Sequence, residues 1–255
     1  MKISIITGVL NRAGTMESCI KSVLSQTYKG IEYIIIDGGS TDGTLDIINR
    51  YKDKIAVTVS SPDKGIYYAL NKGIGFSTGD AVGFLHSDDF YAHEKVVERV
   101  ADVFEREGVD SCYGDLQYVN RDDPGKIIRY WRASGFSYEK FKYGWTLPHP
   151  TFFVRKSIYE RYGCFNTDFK ISADYELMLR FLLKNRISIG YIPEILINMR
   201  RGGLSNKGLK NIIIKRLEDY NAWKVNGLKI NFGIVFLKNL VKAPQFIRRN
   251  NGRIN

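Results

Sequence analysis

The sequence predicts an α/β fold built on a parallel sheet, and three observations carry that expectation. Short apolar runs alternate with amphipathic helical patterns in the rhythm of βαβ units, and glycine-rich turns follow the early runs. One apolar run, Ala81 to Leu85, leads through His86-Ser87 to two adjacent acids, Asp88 and Asp89. Ligands of open α/β sheets gather outside the carboxyl ends of the strands, so a site is expected there. Two carboxylates suffice for a divalent cation, since Mg²⁺ usually takes one or two of them together with substrate phosphates. The same pair can equally form a polar turn that caps the next helix.

Taken in order, Lys2 to Thr7 reads as a first strand. Thr15 to Gln26 reads as a helix with Met16, Ile20, Val23 and Leu24 on one face. Ile31 to Asp37 is a second strand that empties into Gly38-Gly39-Ser40-Thr41-Asp42-Gly43-Thr44, where the glycines permit positive φ and Thr41 or Asp42 can cap a helix. Ile55 to Ser60 is a third strand, Gly65 to Phe76 a helix and Ala81 to Leu85 the fourth strand. His93 to Arg106 reads as a helix and Ser111 to Asp115 as a strand. Asn120 to Thr151 is irregular and aromatic, with Trp131, Trp145 and His149, as expected of a functional loop or a substrate-facing surface. Thr151 to Arg155 follows, then a helix over Tyr175 to Lys184 opened by Ser172-Ala173-Asp174. Ile187 to Ile192 and Ile195 to Arg200 read as two closing strands before a flexible Gly202-Gly203-Leu204-Ser205 joint.

At 255 residues the chain suits one α/β domain over residues 1–205 with an appendage over 206–255. Cys19, Cys112 and Cys164 are odd in number and lack CxxC spacing, which argues against a disulfide framework or a zinc site. No stretch reaches a membrane span, and Met1 runs directly into a strand instead of a signal peptide, so a cytoplasmic protein is expected. The charge is uneven: from Ser205 onward eleven basic residues oppose only Glu218 and Asp219, leaving +9 of the total +11 in the tail. Such asymmetry points to an acidic partner. Aromatic-interleaved basic modules of RNA binders are absent, so an anionic membrane surface is expected and nucleic acid is not. Ile212, Ile213, Leu217 and Tyr220, then Ile230, Ile234, Leu237, Leu240 and Val241, repeat at helical spacing. Two such helices can lie on a membrane or pack on the domain.

Six stretches, read together, carry a resemblance. Ile36-Asp37-Gly38-Gly39-Ser40-Thr41-Asp42-Gly43-Thr44, Pro62-Asp63-Lys64-Gly65-Ile66-Tyr67, Ser87-Asp88-Asp89, Gly163-Cys164-Phe165-Asn166, Ser172-Ala173-Asp174-Tyr175-Glu176-Leu177 and Gly202-Gly203-Leu204-Ser205 stand in the order and spacing of family 2 glycosyltransferases. The chain most resembles bacterial members that build exopolysaccharide and O-antigen units. The resemblance implies a GT-A fold with a Rossmann-like, mostly parallel sheet, a nucleotide diphosphate sugar donor such as a UDP-sugar, a divalent metal (Mn²⁺ or Mg²⁺) and inversion at the anomeric carbon. It implies Asp89 as the metal ligand, Asp88 nearer the donor's ribose or sugar, and Asp37, Asp63 and Lys64 in the nucleotide pocket. His86 stands where the family often carries a further acid, Gly38 where an acid would contact the base, and Ala173 where an acid usually precedes the base.

The chemistry requires a carboxylate to accept the proton of an acceptor hydroxyl, and Asp174 matches the family's base. An oxocarbenium-like centre attacked from the opposite face is inverted. The leaving diphosphate needs positive charge, for which Arg200 and Arg201 stand beside the glycine pair. His149 and Trp145 are expected on the acceptor side. Family acceptors are commonly lipid-linked, which fits peripheral attachment at the inner face of the plasma membrane. A nucleotidyltransferase is the alternative enzyme class, but no Gly-rich basic triphosphate loop lies near the N-terminus; a non-enzymatic basic binding module would need no acid cluster.

Overall fold

Residues 1–143, 145–202 and 208–229 are described by the computed structural model. The first half follows the expected rhythm: β1 (Ile3–Val9), α1 (Ala13–Leu24), β2 (Ile31–Asp37), α2 (Thr44–Asn49), β3 (Val57–Ser60), α3 (Ile66–Phe76) and β4 (Ala81–Phe84). All four strands are parallel, β1 pairing with both β2 and β4, and β2 with β3. Nearly every residue of β1, β2 and β4 is buried, the mark of strands covered on both faces. Helix α1 buries Met16, Cys19, Ile20 and Val23, one stripe at helical spacing. Helix α3 lies on β1 at a distance only a glycine permits, because a Cβ on Gly73 would collide with Ile6. The chain moves outward from β1 to β2 to β3 and then crosses to the other side of β1 for β4, which opens a crevice at the carboxyl ends of β1 and β4.

The second half is mixed. It runs β5 (Phe90–Tyr91), α4 (Val96–Glu107), β6 (Ser111–Val119), β7 (Ile127–Trp131), α5 (Tyr138–Lys142), β8 (Phe153–Arg155), α6 (Lys156–Tyr162), α7 (Ala173–Met178), β9 (Ile189–Arg200) and α8 (Gly208–Val225). The sheet order is β3-β2-β1-β4-β8-β6-β9-β5, with β7 joined to β6. Strand β8 is antiparallel to β4 and β6, β5 is antiparallel to β9, and β6 and β9 are parallel. The stretch read as irregular, Asn120 to Thr151, holds β7 and α5, and Trp131 is buried. The two expected closing strands are one: β9 runs through Pro193 and Glu194 as a bulge, where Gly114 faces Ile192 and Asp115 faces Ile195. Proline cannot donate to a ladder, so the interruption in the apolar pattern marks a bulge and not a strand end. Helix α7 continues through Leu179–Lys184 in wider π-type turns, burying Leu179, Phe181 and Leu182.

The first helix of the C-terminal appendage packs on the domain. Helix α8 packs Ala222 and Trp223 into the core, with Asp219 and Asn226 beside them, and leaves Ile212, Ile213 and Leu217 exposed. Trp223 Nε1 donates to the Tyr175 hydroxyl at 2.9 Å, and Asn226 donates to Glu176 at 3.1 Å. A boundary after residue 205 therefore does not separate α8 from the catalytic domain. The second predicted tail helix from Ile230, and residues Gly203 to Ser205 of the joint, lie outside the described residues. No helix among the described residues is long and apolar enough to cross a membrane.

At the opposite end of the sheet from the crevice, Glu32 fastens three segments. Its Oε1 accepts from Lys2 Nζ at 2.6 Å and the Thr78 hydroxyl at 2.5 Å, and its Oε2 from the Ser4 hydroxyl at 2.6 Å and the Thr78 N–H at 2.7 Å. Burial pushes this carboxyl up, but the four bonds outweigh it and hold the pKa at about 2. A depressed carboxylate stabilises the fold above its unfolded pKa, and that contribution fades as pH falls toward the folded value. Glu32 should therefore contribute up to about 3 kcal/mol at neutral pH, lost between the ordinary 4.5 and about 2. Thermal melts of Glu32→Gln should show a lower Tm at pH 7 and a flatter decline across that acid window than the wild type.

Candidate active site

Asp88 and Asp89 lie where β4 ends, at the crevice beside β1. The Thr7 hydroxyl of β1 donates to the Leu85 carbonyl at 2.8 Å, and the Asp89 N–H donates to the His86 carbonyl at 2.8 Å, closing a tight turn. Asp88 Oδ1 accepts from the Thr15 hydroxyl at 3.1 Å and sits 2.9 Å from Arg12 Nε, while its Oδ2 is 3.6 Å from Arg121. Asp89 is buried, and its Oδ1 accepts the Arg200 N–H at 3.0 Å. Burial pushes its pKa up to about 8, opposed by that bond and reinforced by the Asp88 charge.

Arg200 does not face the crevice as a phosphate-binding cation. Its guanidinium is buried, donates to the Asp88 carbonyl at 2.7 Å and the Ser18 hydroxyl at 3.0 Å, and stacks on Phe90 at 4.7 Å. It holds the acid turn from below. Arg201 is exposed at the rim. Arg12 and Arg121, which reach Asp88, escaped the sequence reading; Arg12 follows the first strand in a position that periodicity leaves unmarked, and Arg121 sits beyond β6.

On the nucleotide side, Asp37 is fully buried. Its Oδ2 accepts from the N–H groups of Gly39 and Ser40, both at 3.0 Å, and from the Ser60 hydroxyl at 2.7 Å; its Oδ1 accepts from the Ser40 hydroxyl at 2.5 Å. That carboxylate builds the turn and presents no open face to a ligand. Asn11, at φ 51°, staples this turn to the loop after β1 by accepting from the Thr41 N–H at 2.8 Å. Asp63 Oδ1 pairs with Lys72 Nζ at 2.5 Å, whereas its Oδ2 is buried without a hydrogen-bond partner among the described residues. Lys64 is exposed.

Across the crevice, Asp174 opens α7. Its Oδ2 is 3.0 Å from His149 Nδ1, and its Oδ1 is 3.4 Å from the Tyr67 hydroxyl, which donates to the Ile171 carbonyl at 2.7 Å. His149 in turn stands edge-on to His86, ring centroids 5.8 Å apart. Burial, then the neighbouring His149, bring His86 down to about 4, so its imidazole is neutral at physiological pH. These groups form the polar mouth of a small cavity of about 60 Å³ whose walls include Leu70, Phe84 and Phe165. Trp145 is elsewhere: its indole packs against Tyr113, Phe136 and Phe141 and donates to the Ala133 carbonyl at 3.0 Å, bracing the segment before His149. A larger cleft of about 380 Å³ between Tyr138, Arg186 and Trp223 contains neither Asp174 nor the acid pair.

The other motifs prove to be architecture around Asp174. Arg180 on the extension of α7 pairs with Glu176 at 2.9 Å and donates to the carbonyls of Tyr162, Gly163 and Cys164. Asn71 exchanges two hydrogen bonds with the Phe165 backbone, both at 2.9 Å. Glu218 of α8 receives the N–H groups of Lys170, Ile171 and Ser172, all at 2.8 Å, and so fixes the strand of chain that delivers Asp174.

A parallel half-sheet with an acid turn at its switch point, facing a second carboxylate from a mixed half, is the architecture of the GT-A glycosyltransferases. The chain belongs to that class by family as well: a model of glycosyl transferase family 2 matches residues 4–163. Among curated relatives, the glucosyltransferase WfaP of Escherichia coli, named for transfer from UDP-Glc to α-D-GlcNAc-diphosphoundecaprenol, is 29% identical over 92% of this chain and 90% of its own. An uncharacterised glycosyltransferase of Mycobacterium tuberculosis is 34% identical over 71% of this chain and 69% of its own. Among solved structures, Staphylococcus aureus TarS with UDP-GlcNAc superposes with a TM-score of 0.69 at 18% identity, covering 97% of this chain and 79% of that one. A Pyrobaculum calidifontis mannosyltransferase with GDP-Man and Mn²⁺ gives 0.66 at 15%, covering 96% and 70%.

No cluster of three or more His, Cys, Asp or Glu is poised for a metal among the described residues. Asp88 and Asp89 are adjacent oxygen donors of the type a hard cation takes together with substrate phosphates, and Asp88 is faced by two guanidinium charges.

Glu218→Ala should leave three backbone N–H groups without their acceptor, lowering Tm by roughly 5–10 °C. Calorimetric donor affinity should stay near the wild-type value while turnover falls, because the loop displaced carries Asp174 and not the acid turn.

Proposed function

We propose that this enzyme is an inverting glycosyltransferase that moves a sugar from a nucleotide diphosphate sugar, a UDP-sugar, to a lipid-linked saccharide in bacterial surface-polysaccharide synthesis. The observation that carries the reading is Asp174: a partly exposed carboxylate at a cavity mouth, held at 3.0 Å by His149, which stands edge-on to His86 at the start of the acid turn. His149 fixes one oxygen, leaving Oδ1 to accept the acceptor hydroxyl's proton. Attack from the Asp174 side on a sugar whose diphosphate lies toward Asp88 is a direct displacement, which inverts the anomeric centre. The unpartnered Oδ2 of Asp63 is a ready acceptor for an N–H of the nucleotide base. Asp37 shapes the turn behind it, and Lys64 and Arg201 add positive charge at the rim. A divalent cation, Mn²⁺ or Mg²⁺, held by Asp89 and Asp88 would stabilise charge on the leaving diphosphate.

The lipid-linked acceptor is supported by WfaP, whose match spans nine-tenths of both chains. Attachment to the anionic inner face of the plasma membrane is supported by α8, which exposes Ile213 and Leu217 beside Arg216 and Lys224, and by the positive charge of the tail.

Asp174→Asn should bind the UDP-sugar with wild-type affinity and transfer it about 10²–10⁴-fold more slowly; incubation with a panel of nucleotide sugars and Mn²⁺, following diphosphate release and product anomer, tests this, and near wild-type turnover would refute the base. The membrane reading is tested without removing Glu218 by a double Ile213→Ser, Leu217→Ser variant. It should fold normally and co-sediment less with anionic vesicles, with added salt weakening wild-type capture; equal capture of both proteins would refute α8 as the contact.

A further inference from the structure

Asp88 is faced from two sides. Arg12 arrives from the loop after β1, anchored by its own Nη1, which donates to the Asn11 carbonyl at 2.8 Å. Arg121 arrives from the β6–β7 turn, on the far half of the sheet. Both are partly open to solvent, Arg12 at 28% and Arg121 at 42% side-chain exposure, unlike the buried Arg200. Partly exposed ion pairs of this kind contribute little to stability and exchange readily. A guanidinium, however, presents a planar fork that matches phosphate oxygens, and two forks at one crevice mouth match a diphosphate.

We propose that Arg12 and Arg121 are donor-binding residues that exchange partners: without donor they neutralise Asp88, and on donor arrival they turn to the diphosphate and release Asp88 to the cation. The exchange rests on the proposed sugar-nucleotide and metal reading of this crevice. Its physical content is a competition. Two guanidinium charges beside Asp88 repel a divalent cation and occupy its ligand, so metal alone binds poorly. A diphosphate compensates those charges, so metal and nucleotide each strengthen the other's binding, and by linkage the factor is the same in both directions. The arrangement loads the cation together with the donor, and Asp88 is never left as an uncompensated charge.

The test is Mn²⁺ binding followed by the paramagnetic resonance signal of the free ion, with and without UDP, and UDP binding by calorimetry in chelator. Wild type should take up Mn²⁺ far better with UDP than without. The Arg12→Gln, Arg121→Gln double variant should bind Mn²⁺ alone about tenfold more tightly, bind UDP in chelator about tenfold more weakly, and lose most of the mutual enhancement. Arg12→Lys, Arg121→Lys keeps the charge and should retain weak Mn²⁺ binding while losing part of the UDP affinity. If the arginines merely fasten the acid turn, the Gln variant will bind Mn²⁺ alone no better or worse than wild type, and the exchange is overturned. Unchanged UDP affinity in chelator overturns their donor role. Wild type that takes up no Mn²⁺ even with UDP removes the metal reading, and the exchange with it, while the chelator titration still decides whether the arginines hold the diphosphate.

Discussion

A buried carboxyl group needs donors or counter-charge, and Asp89 draws both from Arg200, whose backbone N–H and nearby charge oppose the burial that pushes its pKa up to about 8. The contact requires β9 to reach its last residue in register with β6 and β5: Asn198 faces Phe90, and two residues later the Arg200 N–H meets Asp89. The same side chain then grips the Asp88 carbonyl and Ser18 of α1. Four elements distant in sequence are thereby locked around one turn. The acid pair belongs to the first half of the chain, yet its geometry is imposed by the second.

The Asp174 side of the crevice shows a parallel dependence. Asp174 stands at the start of a helix, but its place is determined by His149 from the segment before β8, Tyr67 from α3 and the Glu218 carboxylate of α8. Helix α8 has two unlike faces. Its inner face, through Trp223, Asn226 and Glu218, completes the catalytic domain. Its outer face carries Ile213 and Leu217 into solvent.

Several motif residues matter through what they build. Asp37 has its acceptors occupied by its own turn and by Ser60, and Gly163-Cys164 offers carbonyls to Arg180. Such residues shape the walls of the crevice. Asp63 differs, because one of its oxygens is buried without a hydrogen-bond partner among the described residues.

By itself the sequence determined the α/β class, the parallel strands β1 to β4, the placement of Asp88 and Asp89 at a strand's carboxyl end and the position of Asp174 at a helix start. All of these follow from local periodicity, capping chemistry and ordered motifs, which are written within a few residues of one another. Only the tertiary structure decided that β9 is one bulged strand, that Trp145 braces a loop, that Arg200 is buried beneath the acid turn, and that Arg12 and Arg121 face Asp88. It also decided which side of α8 is inward, since Trp223 and Asn226 found partners on α7 that no helical period could announce. The physical reason is the range of the interactions. Hydrophobic alternation is a property of neighbours in the chain, whereas a carboxylate's partner is whichever donor the completed sheet brings within about 3 Å.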